Sequence, residues 1–145
     1  PEQVESTTAD SEGLGLLDIN TRLTAEKHLK NVDGVLVNSG NKIKGYEIHC
    51  GISEGAGLQS PFCCLTDQQG NSYTDGAISG DGQVMGTYVH GVFDHPEACE
   101  FILEWVSGSP VTAEDWQALR EREIERIADI YEEHIDMDAL LNIIR

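Results

Sequence analysis

Gly86-Thr87-Tyr88-Val89-His90-Gly91-Val92-Phe93-Asp94 is a run of strand-forming residues that ends abruptly in a histidine and a glycine. The strand candidate spans Val84 to Val89, and Gly91 releases the chain directly after His90. A histidine at a strand end, beside a flexible residue, is well placed to face a cleft. Its imidazole titrates near neutral pH, so it can take and return a proton during a reaction. The ordinary alternative is a surface or packing histidine, and position alone leaves both readings open.

Downstream of this stretch the pattern is helical. Asp94 is a cap candidate for a helix whose first turn holds Pro96 and Glu97. Ala98, Phe101, Ile102, Trp105 and Val106 recur on one face, and Gly108 and Pro110 end the segment. A second helix is predicted from Thr112, with Asp115 completing a weak capping box and Trp116, Leu119, Ile124, Ile127 and Tyr131 forming its buried side. Asp136 caps a last short helix carrying Leu140, Leu141 and Ile144.

Upstream, strand and turn signals dominate. Leu14 to Ile19 reads as a short buried strand. Leu23 to Val37 alternates roughly, Ser39-Gly40-Asn41-Lys42 is a turn, and Ile43 to Gly51 returns as the second arm of a hairpin. Phe62 to Thr66 is a compact strand candidate, followed by a turn at Gln69-Gly70-Asn71-Ser72. Asp75 to Gly82 is glycine-punctuated, and Gln83 to His90 reads as the strand that delivers the histidine.

The chain has 145 residues, of which 39% are hydrophobic, enough to build one domain around a core. A formal net charge of −17 repels phosphate backbones and anionic bilayers, so neither nucleic acid nor a membrane is expected as a partner. The apolar runs are too short to span a bilayer, and Pro1-Glu2-Gln3-Val4-Glu5 lacks the basic start and apolar core of a signal peptide. The chain starts without an initiator methionine and reads as a section of something longer. Cys50, Cys63, Cys64 and Cys99 contain no Cys-x-x-Cys spacing, so free structural thiols in a reducing cytoplasm are expected.

Few motifs carry chemistry. Gly45-Tyr46-Glu47-Ile48-His49 puts Glu47 and His49 on one strand face by the two-residue period. They read either as the wet edge of a hairpin or as a pair lining the same cleft as His90. Asp75-Gly76 and Asp81-Gly82 are turn chemistry first. No phosphate-cradling Gly-x-x-x-x-Gly-Lys and no Gly-x-Ser-x-Gly or Gly-x-Cys-x-Gly elbow occurs, so no nucleophile is evident. Cys50 sits in a strand and reads as structural. His28, His49, His90, His95 and His134 match no metal-binding spacing, and no metal site is expected.

Taken in order, Gly13-Leu14-Gly15-Leu16-Leu17-Asp18, Gly45-Tyr46-Glu47-Ile48-His49, Asp75-Gly76-Ala77 and Gly86 to Asp94 resemble the C-terminal part of the cobyric acid synthases of cobalamin biosynthesis. Arg122-Glu123, Ala128-Asp129 and His134-Ile135-Asp136-Met137 are similar to their tail. Cobyrinic acid diamide synthases and the bacterial cell-wall amidotransferase subunit share only parts of this set. The resemblance implies an α/β, class I glutamine amidotransferase-like (flavodoxin-like) fold with a mostly parallel sheet, truncated on its N-terminal side. Residues 1–12 would be a polar lead-in, 13–110 the C-terminal part of the amidotransferase domain, and 111–145 a helical extension.

In that family a cysteine on a glycine-rich elbow attacks the glutamine side-chain amide, and a histidine manages the proton. The released ammonia amidates carboxylates of a corrin ring, from adenosylcobyrinic acid a,c-diamide to cobyric acid, in a separate synthetase domain that uses ATP and Mg2+. The resemblance places the catalytic histidine on His90 and makes Tyr46, Glu47 and His49 supports of the cleft. The elbow cysteine would lie before Gly13, so this fragment alone is expected to be inactive, binding no cofactor of its own. Its partners would be glutamine, the N-terminal synthetase domain and, through it, the corrinoid; a truncated sheet also suggests a homodimer. His95-Pro96-Glu97 spells the string by which many class I amidotransferases supply base and carboxylate, and is the lesser option. The alternative from another class is a non-catalytic docking or subunit-interaction module descended from such a domain.

Overall fold

The turn at residues 37–41 organises the molecule. Gly40 donates its N–H to Leu36 O at 2.8 Å and Leu36 donates to Asn41 O at 2.9 Å, folding β1 (Asn20–Leu36) back on β2 (Lys42–Glu54) as a long antiparallel hairpin. The computed structural model describes residues 11–143, without the side chains of His28, Met137 and Asp138. The polar lead-in expected over residues 1–12 falls outside the described residues except for Ser11 and Glu12, as does Ile144 of the last helix.

The hairpin is not one continuous ladder. Its register runs from Val35↔Lys42 to His28↔His49, shifts, and resumes from Leu23↔Gly51 to Asn20↔Glu54. Thr24 pins the irregularity by donating its hydroxyl to Cys50 O at 2.9 Å. β3 (Cys63–Asp67) pairs with the other side of β1, β4 (Ser72–Asp75) pairs with β3, and a two-residue strand at Val89–His90 pairs with β2. Between them β5 (Ala77–Ile78) and β6 (Met85–Gly86) form a separate small ladder, which makes the Val89–His90 strand β7. The main sheet has the order β4-β3-β1-β2-β7.

Every one of these pairings is antiparallel, in place of the mostly parallel sheet that was expected. The connections explain this. Parallel neighbours need a crossover of a dozen or more residues, commonly a helix. Here β1–β2 and β3–β4 are joined by short turns, and α1 (Pro96–Ser107), α2 (Trp116–His134) and α3 (Met137–Ile143) all follow the last strand. The fold over residues 11–143 is therefore mixed α/β, with an antiparallel sheet and three helices.

One sheet face is dry. Val32 and Leu36 of β1, Ile43 and Glu47 of β2, and Cys63 and Leu65 of β3 are buried in the alternation that a half-covered sheet requires. α1 closes this face with Ala98, Phe101 and Ile102, as the helical spacing predicts, whereas Trp105 and Val106 of the same predicted face are exposed. The opposite face carries exposed Asp33, Val35, Lys44, Tyr46, Cys64, Thr66 and His90.

Two sequence expectations fail for identifiable reasons. Leu14–Ile19 forms bends rather than a strand; Leu14 and Leu16 are exposed, and Gly15 takes a left-handed φ of 68°. Gln83–His90 is not one strand either, because its two ends belong to different sheets: Met85–Gly86 pairs with β5 and Val89–His90 with β2. The helices also start differently from expectation. α1 takes His95, not Asp94, as its N-cap, and α2 starts at Trp116 with Asp115 as the cap itself. The buried side expected for α2 is absent: none of its residues is buried.

Candidate functional site

β7 is too short to hold itself in place by pairing alone, and the residues before it are anchored from elsewhere. Asp75, at the end of β4, is buried, and its Oδ2 accepts the Thr87 hydroxyl at 2.5 Å and the Tyr88 N–H at 3.0 Å. Thr87 Oγ1 in turn accepts the Val89 N–H at 3.1 Å. A buried carboxylate is tolerated only when its lone pairs are filled. Here the filling also fixes the path of the chain immediately before His90. The same charge, after burial itself, helps push the neighbouring Cys63 thiol up to about 12. Cys63 is therefore an inert packing group.

On the other side of β7 the contact is with β2. Register sets Tyr46 opposite His90 and Glu47 opposite Val89. The strands approach so closely at this point that a Cβ on Gly45 would lie 2.1 Å from His90 O. Only glycine fits there. Tyr46 and His90 project from the same face, and their rings stack with centroids 5.0 Å apart and planes 9° from parallel. Immediately after His90, Gly91 adopts a φ of 80°, which turns the chain away toward α1.

Tyr46 thus meets His90, and Glu47 does not join them. Glu47 is 2% exposed and points into the core face, where Oε2 accepts the Tyr73 hydroxyl at 2.5 Å and faces Lys30 Nζ at 3.2 Å. Lys30 closes the triangle by lying 3.8 Å above the Tyr73 ring. Burial and the bond to Glu47 push the Tyr73 phenol up, so it remains a donor. His49 lies further along β2, stacked on Tyr88 at 4.0 Å, and its Nδ1 donates to Gly51 O at 2.8 Å.

Tyr88 connects this group to a cavity of about 210 Å³ lined by Leu17, Ile19, Thr21, Ser53, Gly76, Ala77, Gly86, Thr87 and Tyr88. Its polar part is a chain of hydroxyls: Thr21 Oγ1 to Ser53 Oγ at 2.7 Å, and Ser53 Oγ to Tyr88 Oη at 2.8 Å. His90 is exposed on the outer face and is not part of this lining.

The His95–Glu97 pair is arranged for docking. Glu97 Oε2 accepts the Lys42 N–H at 2.9 Å, Oε1 faces Lys42 Nζ at 3.8 Å, and Glu97 O accepts from Asn41 Nδ2 at 2.8 Å. These bonds tie the start of α1 to the β1–β2 turn and hold the Glu97 carboxyl below the usual range, the Lys42 N–H being the main cause. Among the described residues, His95 Nδ1 is buried and finds no hydrogen-bond partner. Among the described residues, no group of three or more His, Cys, Asp or Glu is placed to hold a metal ion. No described helix is long and apolar enough to cross a membrane.

The sequence singles out His90, Tyr46, Glu47 and His49, reads Asp75 as turn chemistry, and assigns no site role to Thr87, Tyr73 or Lys30. One signal was available. Tyr73 and Asp75 share the two-residue phase of a strand, and a carboxylate on an inward phase demands partners.

No solved structure matches the chain. Residues 1–98 match the family model of the CobB/CobQ-like glutamine amidotransferase domain. That range ends at Ala98, the buried first-turn residue of α1, and so takes in the whole sheet with β7 and its histidine. Since it covers well over half of the sequence, the chain belongs to the CobB/CobQ-like glutamine amidotransferase domain family.

Proposed function

We propose that this chain is the C-terminal portion of the glutaminase domain of a cobyric acid synthase, with His90 as its general base. The family supports a glutamine amidotransferase role in cobalamin-related amidation. The observation that carries the finer reading is the seat of His90. The imidazole is exposed, stacked on Tyr46, and held at a strand end whose approach is bonded to a buried carboxylate. It is reachable by a group from outside these residues, yet its backbone is fixed.

In this reading the nucleophilic cysteine lies outside the sequence, on a glycine-rich elbow. His90 takes the thiol proton, the thiolate adds to the glutamine carboxamide carbon, and the imidazolium returns the proton to the departing ammonia. A thioester remains. Water, deprotonated by the same imidazole, cleaves it to glutamate. In the same reading ATP and Mg2+ are used by a separate synthetase domain, where the ammonia goes to corrin carboxylates. The domain as a whole would complete a flavodoxin-like sheet with strands that this chain does not supply. Four unpaired cysteines suit a reducing cytoplasm.

The test is His90→Ala in the intact amidotransferase. Glutamine-dependent amidation should fall by about 10²–10⁴-fold, the usual loss on removing a general base, while amidation from supplied ammonia continues. Unchanged glutamine-dependent turnover would remove His90 from the mechanism. It would also favour a second reading, a docking module descended from such a domain. The exposed apolar residues of α2, among them Trp116, Ile124, Ile127 and Tyr131, are the observation that supports that alternative.

A further inference from the structure

We infer that Tyr46 is a positioning residue for His90: its ring is the flat seat that selects one orientation of the imidazole. This rests on the reading of His90 as the base. An imidazole standing on an exposed strand end is free to choose among staggered χ1 wells and broad χ2 orientations, and only some of these aim a given nitrogen at an incoming thiol. Three features of the structure remove that freedom. The pairing Tyr46↔His90 puts the two Cβ atoms on the same face of directly opposed residues. Gly45 lets the β7 backbone close onto β2, since any Cβ there would strike His90 O. The rings then lie nearly parallel, at 5.0 Å and 9°, an offset stack. Among the described residues the His90 ring makes no hydrogen bond, so its nitrogens are left for an incoming group while the ring plane is set.

The contact uses the aromatic face and not the phenol. Among the described residues the Tyr46 hydroxyl makes no hydrogen bond, and the side chain is 41% exposed, so it contributes little to the core. This separates positioning from folding: Tyr46→Leu removes the flat face from a wet site, and Tyr46→Phe keeps it.

The experiment has two readouts. In the 145-residue chain, the ring-proton resonances of His90 are followed by NMR. The stack displaces them through the Tyr46 ring current, the displacement should vanish in Tyr46→Leu, and it should return in Tyr46→Phe. In the intact amidotransferase, Tyr46→Leu should lower kcat for glutamine about 3–10-fold, the scale of the rotamer choices released, with KM for glutamine and the ammonia-dependent rate unchanged. Tyr46→Phe should restore kcat. Resonances and kcat both unaffected by Tyr46→Leu would overturn the proposal, and an equal loss in Tyr46→Phe would overturn it by assigning the role to the hydroxyl. His90→Ala is the control for the parent reading. If it leaves glutamine turnover intact, both fail; if it abolishes turnover while Tyr46→Leu does nothing, only the seat fails.

Discussion

α1 and α2 are built from comparable helical signals and end in opposite environments. α1 is the shorter, its N-cap His95 makes no side-chain capping bond, and yet it seals the sheet with Ala98, Phe101 and Ile102. α2 runs for 19 residues behind a well-formed cap, with Asp115 Oδ1 accepting from both Gln117 N and Ala118 N at 3.0 Å, and buries nothing. Good local chemistry makes a helix; it does not give the helix a place to pack. α1 has its place through Glu97 and Asn41, which bind its first turn to the β1–β2 turn. The family match ends at Ala98 in the first turn of α1, so the sheet lies inside it and α2 outside.

The contrast can be broken first by truncating an apolar side chain in each region. Leu65→Ala, at 1% exposure in the middle of the sheet, should cost about 2–5 kcal/mol in denaturant unfolding. Ile127→Ala, half exposed on α2, should stay within about 0.5 kcal/mol. A comparable loss at Ile127 would mean that α2 is packed after all. Next in size is Asp115→Ala. It should weaken α2 by about 0.5–2 kcal/mol, seen as lost helical circular dichroism, while the main unfolding transition of the sheet keeps its midpoint. A shift of that midpoint would show the two regions to be coupled.

The smallest effect sharpens the comparison from the α1 side. Glu97→Gln removes the charge that binds Lys42, and should lower the melting temperature slightly at neutral pH. Because the native carboxyl is held below its ordinary value of 4.5, its contribution is complete above that value and is lost as pH falls through the lower, folded one. Wild type and Glu97→Gln should therefore converge in acid and remain separated at neutral pH. A gap that persists at low pH would show that the charge is not what docks the helix.

Much of this fold is legible locally. Ser39-Gly40-Asn41-Lys42 marked the hairpin turn, Pro96 and Gly108 marked the two ends of α1, and the compact run Phe62 to Thr66 marked β3. What escaped reading depends on partners far away in the chain. The break between β6 and β7 is imposed by Asp75, twelve residues upstream of Thr87. Glu47 looked like a cleft residue because nothing near it announces Tyr73 and Lys30, which make its burial tolerable. The antiparallel order follows from the lack of crossover helices, whereas the expectation of a parallel sheet came from resemblance alone. Tyr46 and His90, 44 positions apart, were each singled out, but only strand register brings their rings together.

The irregularity pinned by Thr24 splits the hairpin into two ladders with independent phase. Thr21 and Ser53, on the far ladder, are the hydroxyls that reach Tyr88 beside the cavity. Side chains on a strand invert with every one-residue slip, so the near ladder can keep its core phase while the far one is set separately. An insertion or deletion among residues 24–27 of β1 would therefore leave the interior intact and change the β1 side chain that the cavity wall presents, from the Thr21 hydroxyl to an exposed neighbour such as Arg22, with Ser53 of β2 unmoved. The molecule holds, in effect, a dial for the polarity of that hollow, located where a change costs the hydrophobic interior least.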